Sequence, residues 1–333
     1  MRSALIASLL ASPLWAGSAQ AQTAPQPLPD NSSIWTIQDE NASISSSKVT
    51  DRYYVNGLRL AWVSPTDAVP DFLSSLDSLL LGGGQQRIGA EILQQIYTPY
   101  ATDVAIPPSG DRPYAGVLMA DMSLFADTAT TRSTVTFAAG LIGPDALGEQ
   151  IQNGFHDLIS QGHNIGWHSQ IQDQVLAQIT GSRTWRFGLG DIGGLSTDVL
   201  PQLAAGGGLL RVYGLGGATF RIGQGLDQDF GVSRLTPGLS GGDVFAHTQD
   251  FGWYVFAGGD GQVVGYDATL NGLLLRNSQS VDAKVGVGEG QAGLALLFAG
   301  TRLTFSDVVQ SQEFQHQKGG LHQFGSLALS VRF

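Results

Sequence analysis

Segments in which apolar and polar side chains alternate recur along the chain from residue 34 to its end, each about ten residues long. A period of two places successive side chains on opposite faces of a β-strand. The last segment is the clearest, because Leu327, Leu329, Val331 and Phe333 alternate with smaller or polar residues. About a dozen such segments are separated by turns rich in Gly, Ser, Asp and Asn, and their length suits a tilted crossing of a bilayer. The pattern therefore predicts an all-β fold, an antiparallel transmembrane β-barrel of about twelve strands.

Composition supports a barrel over a soluble domain. Charged residues make up 14% of the chain, whereas soluble domains contain roughly 25%. The chain has 45 glycines and no cysteine, which excludes disulfides, thiolate metal sites and cysteine nucleophiles. A formal net charge of −11 argues against a nucleic-acid partner, which requires a basic surface. A soluble all-β sandwich with a similar number of strands remains the alternative interpretation.

The N-terminus has the pattern of a secretory signal. Residues 1–21 combine a positive Arg2, an apolar stretch over 4–16 and a small-residue cleavage site. We expect residues 22–33, which are polar and rich in proline, to form a flexible leader. Residues 34–333 are then the barrel domain of an exported protein. No later run reaches the roughly 18 apolar residues of a membrane-spanning helix.

One segment, residues 144–161, has helical rather than strand periodicity. Its apolar residues recur at spacings of four and three, which predicts a helix with one apolar face: Leu147, Ile151, Phe155 and Leu158. Gln152 and His156 are four residues apart, so they project from the same side of that helix. A short helix that carries a histidine and a glutamine among strands is the place where we expect chemistry.

Four separated motifs, in a fixed order, carry a family resemblance. They are residues 51–59 (DRYYVNGLR), 96–99 (IYTP), 111–116 (DRPYAG) and 143–167. Together they resemble the lipid A 3′-O-deacylase (LpxR-like) family of outer-membrane β-barrels, over most of residues 34–175. The resemblance implies a twelve-stranded barrel in the outer membrane of a Gram-negative bacterium, with the active site between the barrel wall and the membrane at the outer-leaflet end. It also implies a carboxylic ester hydrolase that uses calcium to remove the 3′ acyloxyacyl chain from lipid A of lipopolysaccharide, and we expect a monomer.

The resemblance also implies roles for individual residues. His156 corresponds to the general base that activates water, and Gln152 to the glutamine near it. A neutral imidazole can accept a proton at physiological pH, and calcium bound by oxygen ligands can stabilise an oxyanion. Asp39, Glu40 and Asn41, at the end of the first strand, are the candidate metal ligands.

Three further residues are candidates for substrate binding: Arg112, Tyr114 and Arg59. The other interpretation of Arg112 and Tyr114 is that they shape a turn and the entry to a strand. The other interpretation of Arg59 is that it points into the barrel and pairs with a carboxylate such as Glu91. Asp243 lies in a glycine-rich stretch and is interpreted as a turn former.

The sequence departs from the family pattern at three positions of the predicted site. With Asn41 aligned to the family asparagine, Ala42 stands where the family has an acidic residue, for which Glu40 or Asp39 could substitute. Val55 stands where the family has a hydroxyl, and Gly162 where it has a glutamate. These departures favour an alternative hypothesis, a catalytically inactive outer-membrane barrel that binds lipid or serves envelope integrity. The preserved Gln152 and His156 favour the enzyme. A small pore is disfavoured, because side chains can fill the lumen of about twelve strands.

Overall fold

The computed structural model describes residues 29–46, 52–66 and 68–333. The predicted signal segment lies outside the described residues. The strands are β1 (Ile34–Asn41), β2 (Tyr53–Val63), β3 (Gln85–Thr98), β4 (Ala115–Asp127), β5 (Thr131–Ile142), β6 (Gln174–Trp185), β7 (Phe187–Ile192), β8 (Leu195–Gly208), β9 (Arg211–Gln224), β10 (Phe251–Asp267), β11 (Gly286–Phe298), β12 (Thr301–Gln310) and β13 (His322–Arg332). The helices are α1 (Asp71–Leu81), α2 (Gly148–Leu158) and α3 (Ala268–Asn271). Within the described residues, no helix is long and apolar enough to cross a membrane.

The strands form one closed antiparallel barrel. Strands that are neighbours in sequence pair with each other, except β6 and β7, and β1 also pairs with β13, with Ile34 opposite Arg332. β6 and β7 are separated by Arg186 alone and both pair with β8, so together they occupy one position in the wall. The wall is therefore twelve-stranded, as the alternation predicted.

The two ends of the barrel differ in their connections. The lower end carries both ends of the barrel domain and several tight turns, such as residues 128–130 and 193–194. The upper end carries most of the long connections: residues 42–52, 99–114, 143–173, 268–285 and 311–321. α2 belongs to the longest of these, between β5 and β6.

The wall is apolar outside and polar inside. On β1, Trp35 and Ile37 are exposed on the outer face, whereas Thr36, Gln38 and Glu40 are buried in the lumen. This alternation is the reverse of a soluble sandwich, whose buried faces are apolar, and it suits a barrel that faces lipid.

A long connection at the lower end folds back into the lumen. We call residues 225–250, between β9 and β10, the plug. Apart from one 3-10 turn (Leu226–Gln228), the described plug is irregular, so its buried carbonyl groups need donors from elsewhere. Arginines on the wall supply them: Arg221 donates to Leu226 O at 2.7 Å, Arg302 to Gly242 O at 3.0 Å and Arg132 to Val244 O at 3.1 Å.

Charge pairs fix the plug further. Arg59 of β2 contacts Asp243 of the plug at 2.6 Å, so Asp243 is an ion-pair partner, contrary to its interpretation as a turn former. Arg234 of the plug contacts Glu40 of β1 at 3.0 Å. A lumenal cavity of about 250 Å³ remains beside the plug, lined by charged, hydroxyl and amide side chains of the wall together with residues of the plug.

The leader is fixed before the first strand begins. Asp30 contacts Arg87 at 2.9 Å and Arg332 at 2.6 Å, and its backbone N–H donates to Thr66 Oγ1 at 3.1 Å. Of the predicted leader, Asp30 is thus bound to the barrel wall, and residues 22–28 lie outside the described residues.

Candidate active site

α2 lies on the outer face of the barrel wall at the upper end, against β3 and β4. Two glycines allow this close approach. A Cβ atom on Gly116 of β4 would be 2.9 Å from the backbone nitrogen of Gly148, and a Cβ on Gly148 would be 2.8 Å from the Trp167 ring. Gln94 of β3 also reaches the start of this segment, where its Nε2 donates to Ala146 O at 3.4 Å.

The helix turns its polar side to the wall. Gly148, Gln152 and His156 are buried, at spacings of four. The predicted apolar face exists, but Phe155 and Leu158 are 50% and 80% exposed and point away from the wall. The helix is also shorter than predicted, because a separate 3-10 turn (Pro144–Ala146) precedes it. The sequence thus predicted the two faces, and the structure shows which one is covered.

His156 is held in one orientation by the loop that follows α2. Its Nδ1 lies 2.8 Å from the carbonyl oxygen of Gly162. A carbonyl only accepts, so Nδ1 carries the proton and the neutral ring has its lone pair on Nε2. Gly162, one of the three family departures, therefore orients the histidine with its backbone and needs no side chain to do so.

Gln152 is oriented by a buried indole. Trp167 is fully buried, and its Nε1 donates to Gln152 Oε1 at 2.9 Å. Because an indole N–H only donates, this bond fixes the amide with its NH₂ group directed away from Trp167. Tyr114 supports the indole from the other side, with ring centroids 4.8 Å apart.

The space between α2 and the wall has an apolar lining as well as these polar groups. Val55, Ile96, Tyr114 and Trp167 form one buried cluster, with Ile151 of α2 packed against it. Val55, the second departure, therefore makes apolar contacts at this point. We call this contact region between α2 and the wall the crevice; it brings a histidine and a glutamine beside apolar side chains, a combination that suits an ester with an alkyl chain.

The three predicted metal ligands do not come together. Asp39 lies on the outer face, where it accepts a hydrogen bond from Asn56 Nδ2 at 2.8 Å. Asn41 Oδ1 caps the following turn by accepting from Ser43 N at 2.8 Å. Glu40 points into the lumen toward Arg234, so the predicted set of three is wrong for Glu40.

The described residues do not fit a calcium ion as they stand. Calcium takes six to eight oxygen ligands, commonly several carboxylates. Of the predicted ligands, only Asp39 presents a carboxylate on the outer face, and the described part of the chain has no group of three His, Cys, Asp or Glu residues placed to hold a metal. The third departure, Ala42, lies beside these ligands and supplies no side-chain oxygen.

The predicted substrate-binding arginines lie inside the barrel. Arg59 contacts Glu91 at 2.9 Å, as its alternative interpretation predicted. Arg112 is fully buried and contacts Glu313 at 3.1 Å across the upper end of the lumen. Neither guanidinium faces the crevice, which favours the alternative interpretations of both residues. Tyr114 does line the crevice, where it supports Trp167.

Sequence reasoning gave no role to two residues of this site. Trp167 fixes Gln152, and its presence at the end of the fourth motif was the available signal. Gln94 lies on the outer face of β3 beneath α2, and only the period of β3, together with the position of α2, could have identified it.

Comparison with known proteins identifies the family. The family described as "Outer membrane protein LpxR" matches residues 4–333, nearly the whole chain. The chain belongs to the LpxR family. The structure of LpxR from Salmonella typhimurium matches this family member with a TM-score of 0.72 at 21% identity, covering 90% of this chain and 100% of that one.

Other similarities of this LpxR family member are weaker. The β-domain of the Bordetella autotransporter BrkA gives a TM-score of 0.42 at 10% identity, covering 91% of this chain and 99% of that one. No curated protein sequence matches significantly. As an outer-membrane barrel, the family member has its long loops at the cell surface and its short turns in the periplasm. The upper end, where α2 lies, is therefore the end on the cell-surface side.

Proposed function

We propose that this protein is an outer-membrane carboxylic ester hydrolase that removes an acyl chain, the 3′ acyloxyacyl chain, from lipid A. The observation that carries the proposal is the buried polar face of α2, where His156 and Gln152 are each held in one orientation in the crevice. The position of the crevice toward the cell-surface end of the barrel, the side on which lipopolysaccharide resides, supports lipid A as the substrate.

The chain's own residues suit water attack on an ester. His156 Nε2 accepts a proton from water while the water oxygen bonds to the carbonyl carbon. The Gln152 NH₂ group donates toward the oxygen on which negative charge develops. Collapse of the tetrahedral intermediate breaks the bond to the sugar oxygen, which takes the proton back from the imidazolium. The products are a free fatty acid and a sugar hydroxyl.

Calcium dependence remains a prediction from the family resemblance, and no step above uses the ion. The second candidate function is a non-catalytic barrel that binds lipid. Two observations favour it: Val55 offers no hydroxyl in the crevice, and Glu40 is committed to Arg234 in the lumen.

Mass spectrometry of lipid A distinguishes the two functions. Wild-type protein, His156→Ala and an empty vector would be compared in a Gram-negative host, with calcium and with chelator. His163→Ala is the matched control, because His163 lies in the same loop but pairs with Asp157 at the surface. We expect loss of one acyloxyacyl mass with the wild type and His163→Ala, and intact lipid A with His156→Ala.

Unchanged lipid A from a wild-type barrel shown to be folded in the outer membrane would overturn the hydrolase and leave the binding function. Activity that survives chelation would overturn the calcium prediction alone.

A further inference from the structure

Two helices cover the same sector of the outer wall from opposite ends. α2 lies over β3 and β4 at the upper end, whereas α1 lies over β4 and β5 at the lower end. Leu73 and Leu81 of α1 pack on Leu124 and Ala126 of β4, with Ile88 of β3 at the edge of the cluster. The two helices therefore leave only a short length of this wall uncovered.

The uncovered length of wall is too short to span the apolar core of the membrane. On β3, α1 reaches Ile88 and α2 reaches Gln94, so residues 89–93 lie between them. Five strand residues extend about 17 Å, or about 13 Å along the membrane normal at a tilt of roughly 40°. The apolar band of an outer-membrane barrel is about 25 Å tall. If both helices lay in water, this sector would expose only about half of that band.

The helices themselves expose apolar side chains that can make up the rest of the apolar band. Phe72 and Leu79 of α1 are 73% and 78% exposed, and α2 exposes Phe155 and Leu158. Both helices turn polar groups toward the wall, Asp77 on α1 and Gln152 and His156 on α2. The exposed surface of each helix therefore combines these large apolar side chains with polar ones: Asp71, Ser75 and Ser78 on α1, and Gln150 and Asp157 on α2.

We propose that α1 and α2 lie within the bilayer and complete the apolar belt over β3–β5, α1 among the acyl chains of the inner leaflet and α2 among those of the outer leaflet. A helix satisfies its own backbone hydrogen bonds, so it can lie in hydrocarbon where an irregular loop cannot. The exposed carboxylate of α2, Asp157, pairs with His163 at 2.7 Å near the end of the helix, where the chain returns toward the headgroups. This inference holds whether or not the protein hydrolyses lipid.

Spin labelling tests the position of each helix directly. The chain has no cysteine, so single variants Leu158→Cys and Leu79→Cys can carry one nitroxide in proteoliposomes. Ile92→Cys, on the exposed wall between the helices, is the lipid control, and Ser109→Cys, in an upper loop, is the water control. Collision with oxygen reports lipid, and collision with a water-soluble nickel chelate reports water.

We expect both helix labels to resemble the one at Ile92, with collision with the nickel chelate several-fold below that at Ser109. A value like that of Ser109 at either position would overturn the proposal for that helix. Low collision with both reagents, together with spin–spin broadening, would indicate contact between copies of the chain and would also overturn it.

Discussion

Single hydrogen bonds determine what the candidate site can do. His156 donates a hydrogen bond to a backbone carbonyl and Gln152 accepts one from an indole, and these bonds decide their orientations. The acceptor for His156 is the backbone carbonyl of Gly162, which is present whatever side chain occupies position 162. The loss of a family glutamate there therefore weighs less against catalysis than the sequence suggested.

Trp167→Phe tests the second bond. The substitution keeps an aromatic ring against Tyr114 but removes the indole N–H that donates to the buried Gln152 Oε1. We expect a loss of about 1–3 kcal/mol in the free energy of unfolding, together with reduced acyl removal from lipid A. Urea unfolding and lipid A mass spectrometry measure the two effects.

Trp35→Phe is the matched control, because Trp35 is on the outer wall and half exposed. Equal effects of the two substitutions would show that the indole bond to Gln152 has no special role.

The residue scale is also where sequence reasoning failed most. Asp39, Glu40 and Asn41 are adjacent in sequence, but β1 alternates, so Glu40 faces the lumen while its neighbours face outward. Side chains alternate between the two faces of a strand, and this alternation was sufficient to predict that Glu40 faces away from Asp39 and Asn41. The partners of Arg59 and Arg112 were harder to predict, because Asp243 and Glu313 come from segments far away in sequence.

At the scale of the element, α2 depends on two glycines that meet. Gly116→Ala places a methyl group 2.9 Å from the backbone of Gly148, which cannot yield without moving the helix. We expect α2 to detach, with faster cleavage of residues 143–173 by added protease and loss of acyl removal.

Gly154→Ala is the control on the same helix, because a Cβ there meets nothing within 4 Å. It should leave the cleavage rate unchanged or lower it, since alanine favours helix. Resistance of Gly116→Ala to protease would contradict the assigned contact.

α1 carries a buried carboxyl group whose negative charge opposes the packing of the helix on the barrel wall. Asp77 is fully buried, and neither of its carboxyl oxygens has a hydrogen-bond partner in the described chain. A buried carboxylate that has lost its proton and has no hydrogen-bond donor is costly, so ionisation of Asp77 at high pH destabilises the packing of α1 on the wall, whereas the protonated group at low pH does not.

We therefore expect Asp77→Asn to raise the urea midpoint at pH 8 and to change it little at pH 4. Asp71→Asn, an exposed position on α1, is the control. A pH dependence that is the same in wild type and Asp77→Asn would exclude Asp77 as its source.

Across the whole molecule, the alternation predicted the barrel but not its contents. Residues 225–250 have no strand or helix period, so they read as a long connection, and nothing local indicates that they fill the lumen. The wall arginines were the indirect signal, because a lumen with many buried cations requires acceptors.

Arg302→Met tests whether the plug closes the barrel. Arg302 is fully buried and bonds to Gly242 O at 3.0 Å and to Asp229 at 3.2 Å. We expect a destabilisation of roughly 3 kcal/mol, the lower end of the cost of a broken buried pair, because Asp229 keeps its contact with Arg221. We also expect ion conductance in planar bilayers to rise above that of the wild type. Arg276→Met, at an exposed arginine, should leave the conductance unchanged.

The plug also constrains the order in which the molecule can assemble. Its partners lie on strands from both halves of the sequence, Arg59 and Arg132 near the start and Arg302 and Arg332 near the end, and the seam between β1 and β13 closes last in chain order. A segment tethered to β9 and β10 cannot bond to all of these until the whole chain has been delivered, so we expect the last plug contacts to form together with the seam. Folding should therefore show a single late transition in which lumen contacts and the β1–β13 pairing appear together.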